Sequence, residues 1–475
     1  MDSVALEWRQ GEERKSIPYH KMLLILEKQP KFIRFLQSIS QESYSSIKNS
    51  YPFYQHLSIE ETVKFTAEVS LDNPSARVES ILRLFNLDSH ARCTRDLASF
   101  ICKELVNDPR LLFIENYFEE LGGDESIIIL AALRSYALSE RCTIVVSMSQ
   151  VDAELAQIFD EIWIDDKRFG APEETFRLLK SHSNNDLILD LDESFEQAAL
   201  PVYNHVAAIL QKPSIWFIFI ACLVRAVKIT VRHHALVYGN LAITLFVSLM
   251  AAFLFFQIGD EYWAVRARSS LAFFLSVDAM IGSSSTFVSI LDLDRRVMIQ
   301  EQYRGAACDL VSRFIVLACF VLLYGTLSDL IVYWIAGLRP EFHHFITFWF
   351  TMSALRLAAL SLVFMLNSLI TSVFVRQTLL SFYLFLCLIF AGAYATAKKP
   401  TWILRWIQYI SLLYYSYPTI LQNELKDRSF STTLQGNDFI PSNLMPIVPA
   451  ILTLLGMTLV FLFVSLLVVM TRVKK

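Results

Sequence analysis

The sequence predicts an α/β domain in the first part of the chain, followed by an all-α membrane domain of six transmembrane helices. A helix that crosses a bilayer needs roughly 20 apolar residues, and runs of about this length recur between Val237 and Met470. Hydrophobic residues make up 54% of the 475-residue chain and charged residues 19%, a balance beyond that of most soluble proteins. The first part instead alternates strand-like apolar runs with helical spacing, which is typical of an α/β layer fold.

We expect four parts along the chain. Residues 1–182 form the α/β domain, in which KMLLILE and TIVVSMS predict buried strands and SIEETVKFTAEVSL predicts a helix. The charged run LKSHSNNDLILDLDESFEQ marks the change to a linker over residues 183–213. Residues 214–235 form an amphipathic connecting helix, and residues 236–475 form the membrane domain.

Six apolar runs in the membrane domain meet or approach the length of a span. They cover residues 241–256, 271–291, 314–338, 345–366, 379–394 and 447–470. An even number of spans returns the C-terminus to the side of the N-terminus. We expect both termini in the cytosol, because the chain opens with the charged run MDSVALEWRQGEERK and closes on TRVKK.

The segment SIWFIFIACLVRAVKITVRHH, residues 214–234, has two possible interpretations. It predicts either a seventh span or a helix that lies along the membrane surface. Arg225, Lys228 and Arg232 favour the surface helix, since each basic residue costs roughly 2.5–3.5 kcal/mol at a bilayer centre and is favourable among headgroups.

Charge and cysteine content exclude several classes of protein. The net charge of −4, without a basic cluster, argues against a nucleic-acid partner. The seven cysteines are scattered and indicate neither a zinc site nor a disulfide framework. We therefore predict no metal site.

Seven stretches of the sequence match the pattern of one known family. Three lie in the first part: HLSIEETVKFTAEVSL, ELVNDPRLLFIEN and FDEIWIDDKRFGAPEETFRLL. Four lie in the second part: LFFQIG, DRRVMIQEQYRGA, IVYWIAGLRP and the long run from IFAGAY to LQNEL. Together they resemble the G (White, pigment and sterol) subfamily of ABC transporters, and the first three are similar to segments of that family's nucleotide-binding domain. The resemblance implies an ABC-2, type V exporter-like membrane domain and a half-transporter that works as a dimer with itself or another G-type half.

The resemblance also implies ATP and magnesium as cofactors, but the residues that would handle them are altered. A phosphate-binding loop needs glycines and a lysine, and the chain has only Gly11 before Gly122. The matching positions of the Q-loop, the Walker B carboxylate, the catalytic glutamate and the switch histidine are Asn49, Glu115, Asn116 and Ser149. We expect a degenerate domain with no catalytic residue that binds no nucleotide alone. The alternative is that Glu115 and Asn116 hold magnesium presented by a partner chain.

Three charges lie within the apolar runs: Asp278, Asp329 and Arg356. A charge inside a membrane is costly and marks a functional site by default. The stretch FFLSVDAM resembles a family segment that faces the cavity between two half-transporters, so Asp278 is a candidate cavity residue, together with Phe274 and Arg356. The alternatives are a packing clamp, in which Asp278 or Asp329 pairs with Arg356, and a carboxylate that is neutral. For Phe274 the alternative is a place in the core or facing lipid.

A short charged segment, residues 294–304, resembles the coupling helix that transmits motion from the nucleotide-binding domain. Its candidate residues are Arg295, Arg296, Glu301 and Arg304. The alternative is a solvated turn.

The favoured function is export of lipid-like or amphipathic molecules across the plasma membrane or an internal membrane, with membrane lipids as further partners. The altered nucleotide positions leave two alternatives open. One is a non-transporting scaffold or regulatory subunit without ATPase activity, and the other is passive lipid passage without ATP.

Overall fold

The computed structural model divides into two compact units, Met1–Ala221 and Cys222–Lys475, which we treat separately. It describes residues 4–10, 13–18, 21–26, 33–34, 36–37, 45–48, 57–70, 74–85, 95–115, 118, 123–140, 142–149, 151, 153–164, 167–170, 214–285, 287–288, 291, 306–391, 405–430, 434–435 and 445–473. The predicted linker, residues 183–213, lies outside these segments.

The first unit is built on a mostly parallel β-sheet. Its strands are β1 (Val4–Gln10), β2 (Glu13–Pro18), β3 (Met22–Leu26), β4 (Ser45–Lys48), β5 (Leu111–Glu115), β6 (Thr143–Met148), β7 (Glu161–Ile164) and β8 (Lys167–Gly170). Six of them form one sheet in the order β4-β5-β6-β3-β7-β8, while β1 and β2 pair as a separate antiparallel ribbon. Strands β3, β5 and β6 are buried along their whole length, as expected for parallel strands covered on both faces.

The described residues of the first unit also form helices. They are α1 (Ile59–Ser70), α2 (Pro74–Leu84), α3 (Arg95–Val106), α4 (Gly123–Glu140) and α5 (Ala153–Ala156). Helix α1 begins with a capping box: the Ser58 hydroxyl accepts from the Glu61 N–H and the Glu61 carboxylate accepts from the Ser58 N–H, both at 3.2 Å. The α/β prediction for this part of the chain is consistent with these elements.

A buried arginine ties the helices of the first unit together. Arg77 of α2 donates to Glu140 at 2.5 Å and to the Tyr136 hydroxyl at 3.0 Å, both on α4. Burial raises the pKa of Tyr136 far above its ordinary value, so the phenol stays protonated and donates to the Leu105 carbonyl at the end of α3 at 3.1 Å. A buried guanidinium is tolerated because it is paired in this way.

The second unit is almost entirely helical. Its helices are α6 (Ile215–Arg232, which begins in the first unit), α7 (His234–Leu254), α8 (Tyr262–Ser285), α9 (Ala306–Ile335), α10 (Phe342–Leu369), α11 (Val373–Ile389), α12 (Arg405–Ile410), α13 (Leu412–Leu425) and α14 (Ile447–Val473). A two-residue hairpin pairs β9 (Ser429–Phe430) with β10 (Leu434–Gln435). Helix α10 is central, since it packs against α8, α9, α13 and α14.

Four helices of the described residues, α7, α9, α10 and most of α14, are long and apolar enough to cross a membrane. The chain is therefore an integral membrane protein. Helix α11, with 17 residues, is apolar but shorter, and the 24-residue α8 does not reach the apolarity of the other four. These two helices hold the second and fifth predicted spans, so the count of six stays a prediction.

Several helices begin well before the apolar runs that predicted them. Helix α8 begins nine residues before the predicted residue 271, and α9 begins eight residues before residue 314. The extra turns hold Arg266, Arg268 and Asp309, whose charges interrupt the apolar pattern. Arg268 and Asp309 are nonetheless buried, because partners elsewhere in the unit pair with them.

The connecting segment is a helix, α6, as predicted, but one of its basic residues has a different environment from the one we expected. The Arg225 guanidinium is buried and donates to Asp309 of α9 at 2.7 Å. Its charge thus binds α6 to the membrane unit instead of facing lipid headgroups. The opposite side of α6 exposes apolar residues, among them Ile220, Val224 and Val231.

Candidate functional site

A buried ion pair joins α9 and α10 within the membrane domain. Arg356 donates from both terminal nitrogens to the two carboxylate oxygens of Asp329, each at 2.7 Å. Both side chains are at most 5% exposed. This two-bond geometry is the strongest form of arginine–carboxylate contact. The clamp that the sequence suggested is thus formed by Asp329.

The lack of a side chain at Gly325 leaves room for the Arg356 guanidinium. Gly325 precedes Asp329 by one helical turn on α9, and a Cβ atom at this position would lie 2.6 Å from Arg356 Nε and 2.7 Å from its Cδ and Cζ. A Cβ atom does not make contacts this close in real proteins, so the pair depends on the absence of a side chain at Gly325. Sequence reasoning did not find Gly325, because its role appears only when α10 is packed against it.

Asp278 and Phe274 lie one turn apart on α8. Asp278 is partly buried, and among the described residues none is hydrogen-bonded to it, although Arg356 and Asp329 are close enough for their charges to act on it. The Phe274 side chain is 42% exposed. The structure therefore brings Asp278 near the Asp329–Arg356 pair without making it a member of that pair.

The exposed face of α8 carries more polar residues than a helix face in contact with lipid usually does. The exposed or partly exposed residues along it are Trp263, Arg266, Ser270, Phe274, Asp278, Ile281, Gly282 and Ser285. A helix that meets lipid on this face should be apolar there. The composition of the face indicates a neighbour other than lipid.

A second polar cluster lies where α7 ends and α8 begins. Arg268 of α8 forms a short, buried ion pair with Glu424 of α13. Its other terminal nitrogen donates to the carbonyls of Ile258 at 2.6 Å and Gly259 at 3.2 Å. Arg428 donates to Glu424 at 2.9 Å and extends the cluster. Burial raises the pKa of Glu424, while the nearby arginines lower it.

The same cluster reaches the turn between α9 and α10. The Arg339 N–H donates to the second oxygen of Glu424 at 3.2 Å, and the Gly337 carbonyl accepts from Arg268 at 3.3 Å. Gly337 has φ +68°, a conformation that favours glycine. The motifs QIG, AGLRP and NEL, far apart in the sequence, therefore meet in one network. We call this set of Arg268, Glu424, Arg428 and the 257–260 and 337–339 turns the polar junction.

Glu341, His343 and His344 are the one group in the described residues whose ligand atoms lie close enough to suit a metal ion, all within 4.8 Å of one another. His344 is already engaged, however: Nε2 lies 2.9 Å from an Arg339 terminal nitrogen and Nδ1 lies 2.9 Å from Asn423 Oδ1. The positive guanidinium of Arg339, next to His344 Nε2, would repel a metal cation at this place. We assign no metal to this group.

In the first unit, Glu115 and Ser149 come to the same edge of the sheet. Glu115 ends β5, Ser149 follows β6, and these neighbouring strands run parallel. Ligands of open parallel sheets bind at this carboxyl edge. The Glu115 carboxylate is buried and accepts from Gln37 Nε2 at 2.9 Å and from Arg34 Nε at 3.3 Å. Sequence reasoning missed Arg34 and Gln37, since nothing local marks a partner about 80 residues away.

Several predicted site residues lie outside the described residues. These are Asn49 and Asn116 in the first unit and Arg295, Arg296, Glu301 and Arg304 in the coupling segment.

The membrane unit matches a known domain. Residues 218–425 match the family model described as ABC-2 type transporter, and this range holds the Asp329–Arg356 pair, Asp278 and most of the polar junction. The protein thus contains the membrane domain of an ABC-2 type transporter.

Comparison with curated proteins shows which ABC transporters the chain is similar to. The chain is 21% identical over 429 residues to ABC transporter G family member 8 of Arabidopsis thaliana, covering 81% of this chain and 73% of the relative. It is 22% identical over 431 residues to member 4 of the same plant, covering 81% and 74%. It is 22% identical over 196 residues to the broad substrate specificity transporter ABCG2 of Bos taurus, covering 40% and 30%. The chain is therefore similar to members of the G subfamily of ABC transporters over about four fifths of its length.

Solved structures of ATP-binding cassettes overlap the chain only weakly. The ADP conformation of MJ1267 covers 37% of this chain and 93% of its own, with 11% identity and a TM-score of 0.30. The structure of cbiO1 from Clostridium perfringens covers 38% and 92%, with 15% identity and a TM-score of 0.29. Overlap at this level supports no conclusion about the first unit.

Proposed function

We propose that this chain is a half-transporter that moves lipid-like or amphipathic molecules across a membrane as one half of a dimer. Its six spans are α7, α8, α9, α10, α11 and α14. The observation that carries the proposal is the exposed face of α8, which bears Asp278 in a helix that would otherwise face lipid. A partner half and a passage between the two halves give this face the polar neighbour that it needs.

The passage is lined by Phe274 and Asp278, with Arg356 behind them. An exposed aromatic ring beside a carboxylate offers both an apolar surface and a polar group, the combination that amphipathic molecules require. The name of the bovine relative, which refers to broad substrate specificity, fits an apolar site of this kind. Residues 294–304 would couple the passage to the α/β domains.

We further propose that the α/β domain is degenerate and binds no nucleotide by itself. The support is the contact of Glu115 with Gln37 and Arg34, because a carboxylate whose oxygens already accept two hydrogen bonds is poorly placed to hold magnesium. ATP and magnesium, which the family uses, would then have to be supplied with a second half-transporter.

The same contact favours a second candidate function, a scaffold or regulatory subunit that does not transport. A domain in which Gln37 and Arg34 already engage the Glu115 carboxylate would not offer that carboxylate to the magnesium of a composite ATP site. The two candidates differ in their partner, since transport requires an intact G-type half and a scaffold role does not.

The full chain, purified from its native membrane, tests both points. Calorimetry with Mg-ATP is expected to show no binding by the chain alone, and a dissociation constant below about 100 μM would contradict the degenerate domain. Mass spectrometry of the same preparation is expected to find an intact G-type half in about equal amount. Absence of such a half would favour the scaffold and overturn the transporter.

Topology reporters test the six spans. A reporter at the C-terminus is expected in the cytosol, as is one at the N-terminus, and a reporter within residues 429–441 is expected on the opposite side. A cytosolic signal from the reporter within residues 429–441 would mean that one of the predicted spans before it does not cross the membrane. Helix α11 would be that span, since its 17 residues are fewer than a usual span needs.

A further inference from the structure

We propose that the passage beside Asp278 selects amphipathic molecules that carry a positive charge. This inference rests on the proposed transport function and adds the class of substrate. It follows from the balance of charges around Asp278 and from the groups that share its face of α8.

The charges near Asp278 do not cancel. Asp278 and Asp329 contribute two carboxylates, and Arg356 contributes one guanidinium. Both terminal nitrogens of Arg356 are already used by Asp329, in two bonds of 2.7 Å. The pair is therefore neutral in itself, and Asp278, when it is ionised, leaves the group with one negative charge.

No other basic residue of α8 reaches Asp278. Arg266 lies on the same exposed face but 12 residues earlier, which is about 18 Å along a helix. Arg268 is held in the polar junction by Glu424. Among the described residues, Arg356 is the basic group whose charge acts on Asp278, so a positive group from outside would balance the charge of an ionised Asp278, which is costly inside a membrane when unpaired.

The surroundings of Asp278 suit an organic cation. Phe274 exposes its ring one turn away on the same face, where it adds an apolar surface and the attraction of an aromatic face for a positive group. A cation with an apolar body would contact both side chains. A second copy of the chain would instead bring another carboxylate to the same depth, which does not balance the charge.

Two ions of the same size and shape but opposite charge provide the test. The full chain, co-purified with its partner half and placed in lipid nanodiscs, is titrated with tetraphenylphosphonium and, separately, with tetraphenylborate. The wild type is expected to prefer the cation. Asp278→Asn is expected to weaken binding of the cation at least tenfold and to leave binding of the anion unchanged or stronger. Phe274→Ala is expected to weaken the binding of both ions.

The control is Glu261→Gln, which removes an exposed carboxylate just before α8 and is expected to leave the preference for the cation unchanged. Asp278→Glu is expected to keep the preference, which separates charge from folding. If both ions bind and Asp278→Asn changes neither affinity, the charge selection is overturned while the passage stands. If neither ion binds, the passage itself, and with it the proposed transport, is overturned.

Discussion

Replacing Gly325 with alanine is expected to destabilise the membrane domain by about 3–5 kcal/mol. The new methyl group would lie 2.6 Å from Arg356 Nε, and the guanidinium cannot yield without breaking its two bonds to Asp329. Overpacking costs about 1–3 kcal/mol, and separation of a buried ion pair costs about 3–5 kcal/mol. Thermal unfolding of the detergent-solubilised protein, followed by the fraction that remains monodisperse, measures the loss.

Gly456→Ala is the matched control. Gly456 lies on α14, and nothing stands within 4 Å of the position that its Cβ would take. Alanine there is expected to be neutral or slightly stabilising, because it is the better helix former. Equal stability of the Gly325 and Gly456 variants would show that the packing of Arg356 against α9 is not what we describe.

Replacing Arg268 with alanine is also expected to cost about 3–5 kcal/mol. The change leaves the buried Glu424 carboxylate with less compensation and removes the donor from the carbonyls of Ile258 and Gly259. Truncation of one partner of a buried ion pair costs about 3–5 kcal/mol, and the lower end of that range is expected here because Arg428 still donates to Glu424 at 2.9 Å. The measurement is the midpoint of thermal unfolding together with the yield of folded protein.

Arg266→Ala tests whether any loss is due to the polar junction. Arg266 stands two residues earlier on α8 and is exposed, so its removal is expected to change stability by less than about 0.5 kcal/mol. A comparable loss in both variants would assign the effect to charge in general and contradict the role of the polar junction.

The broad organisation could be predicted from the sequence. Long apolar runs predicted α7, α9, α10 and α14, since span length and hydropathy depend on local composition alone. The resemblance to the G subfamily, carried by motifs such as AGLRP and NEL, is confirmed by the ABC-2 match and the curated relatives.

The roles of individual residues could not be predicted in the same way. Arg268 interrupts the apolar pattern, and only its contact with Glu424, 156 residues away, shows why it is buried within a helix of the membrane domain. Asp278 and Asp329 looked equivalent in sequence as partners for Arg356, and packing of α9 against α10 decides between them. Such roles depend on distant parts of the chain, which a local pattern does not contain.

The position of the polar junction constrains how the membrane domain deforms. It fastens the start of α8 to α13 and to the α9–α10 turn through several ionic and backbone contacts. A rod that is anchored at one end moves most at the other. Helix α8 has 24 residues and is about 36 Å long, so a tilt of about 10° about this anchor would shift its far end by roughly 6 Å. Any such tilt about the polar junction would displace α8 most at its opposite end, near Ser285.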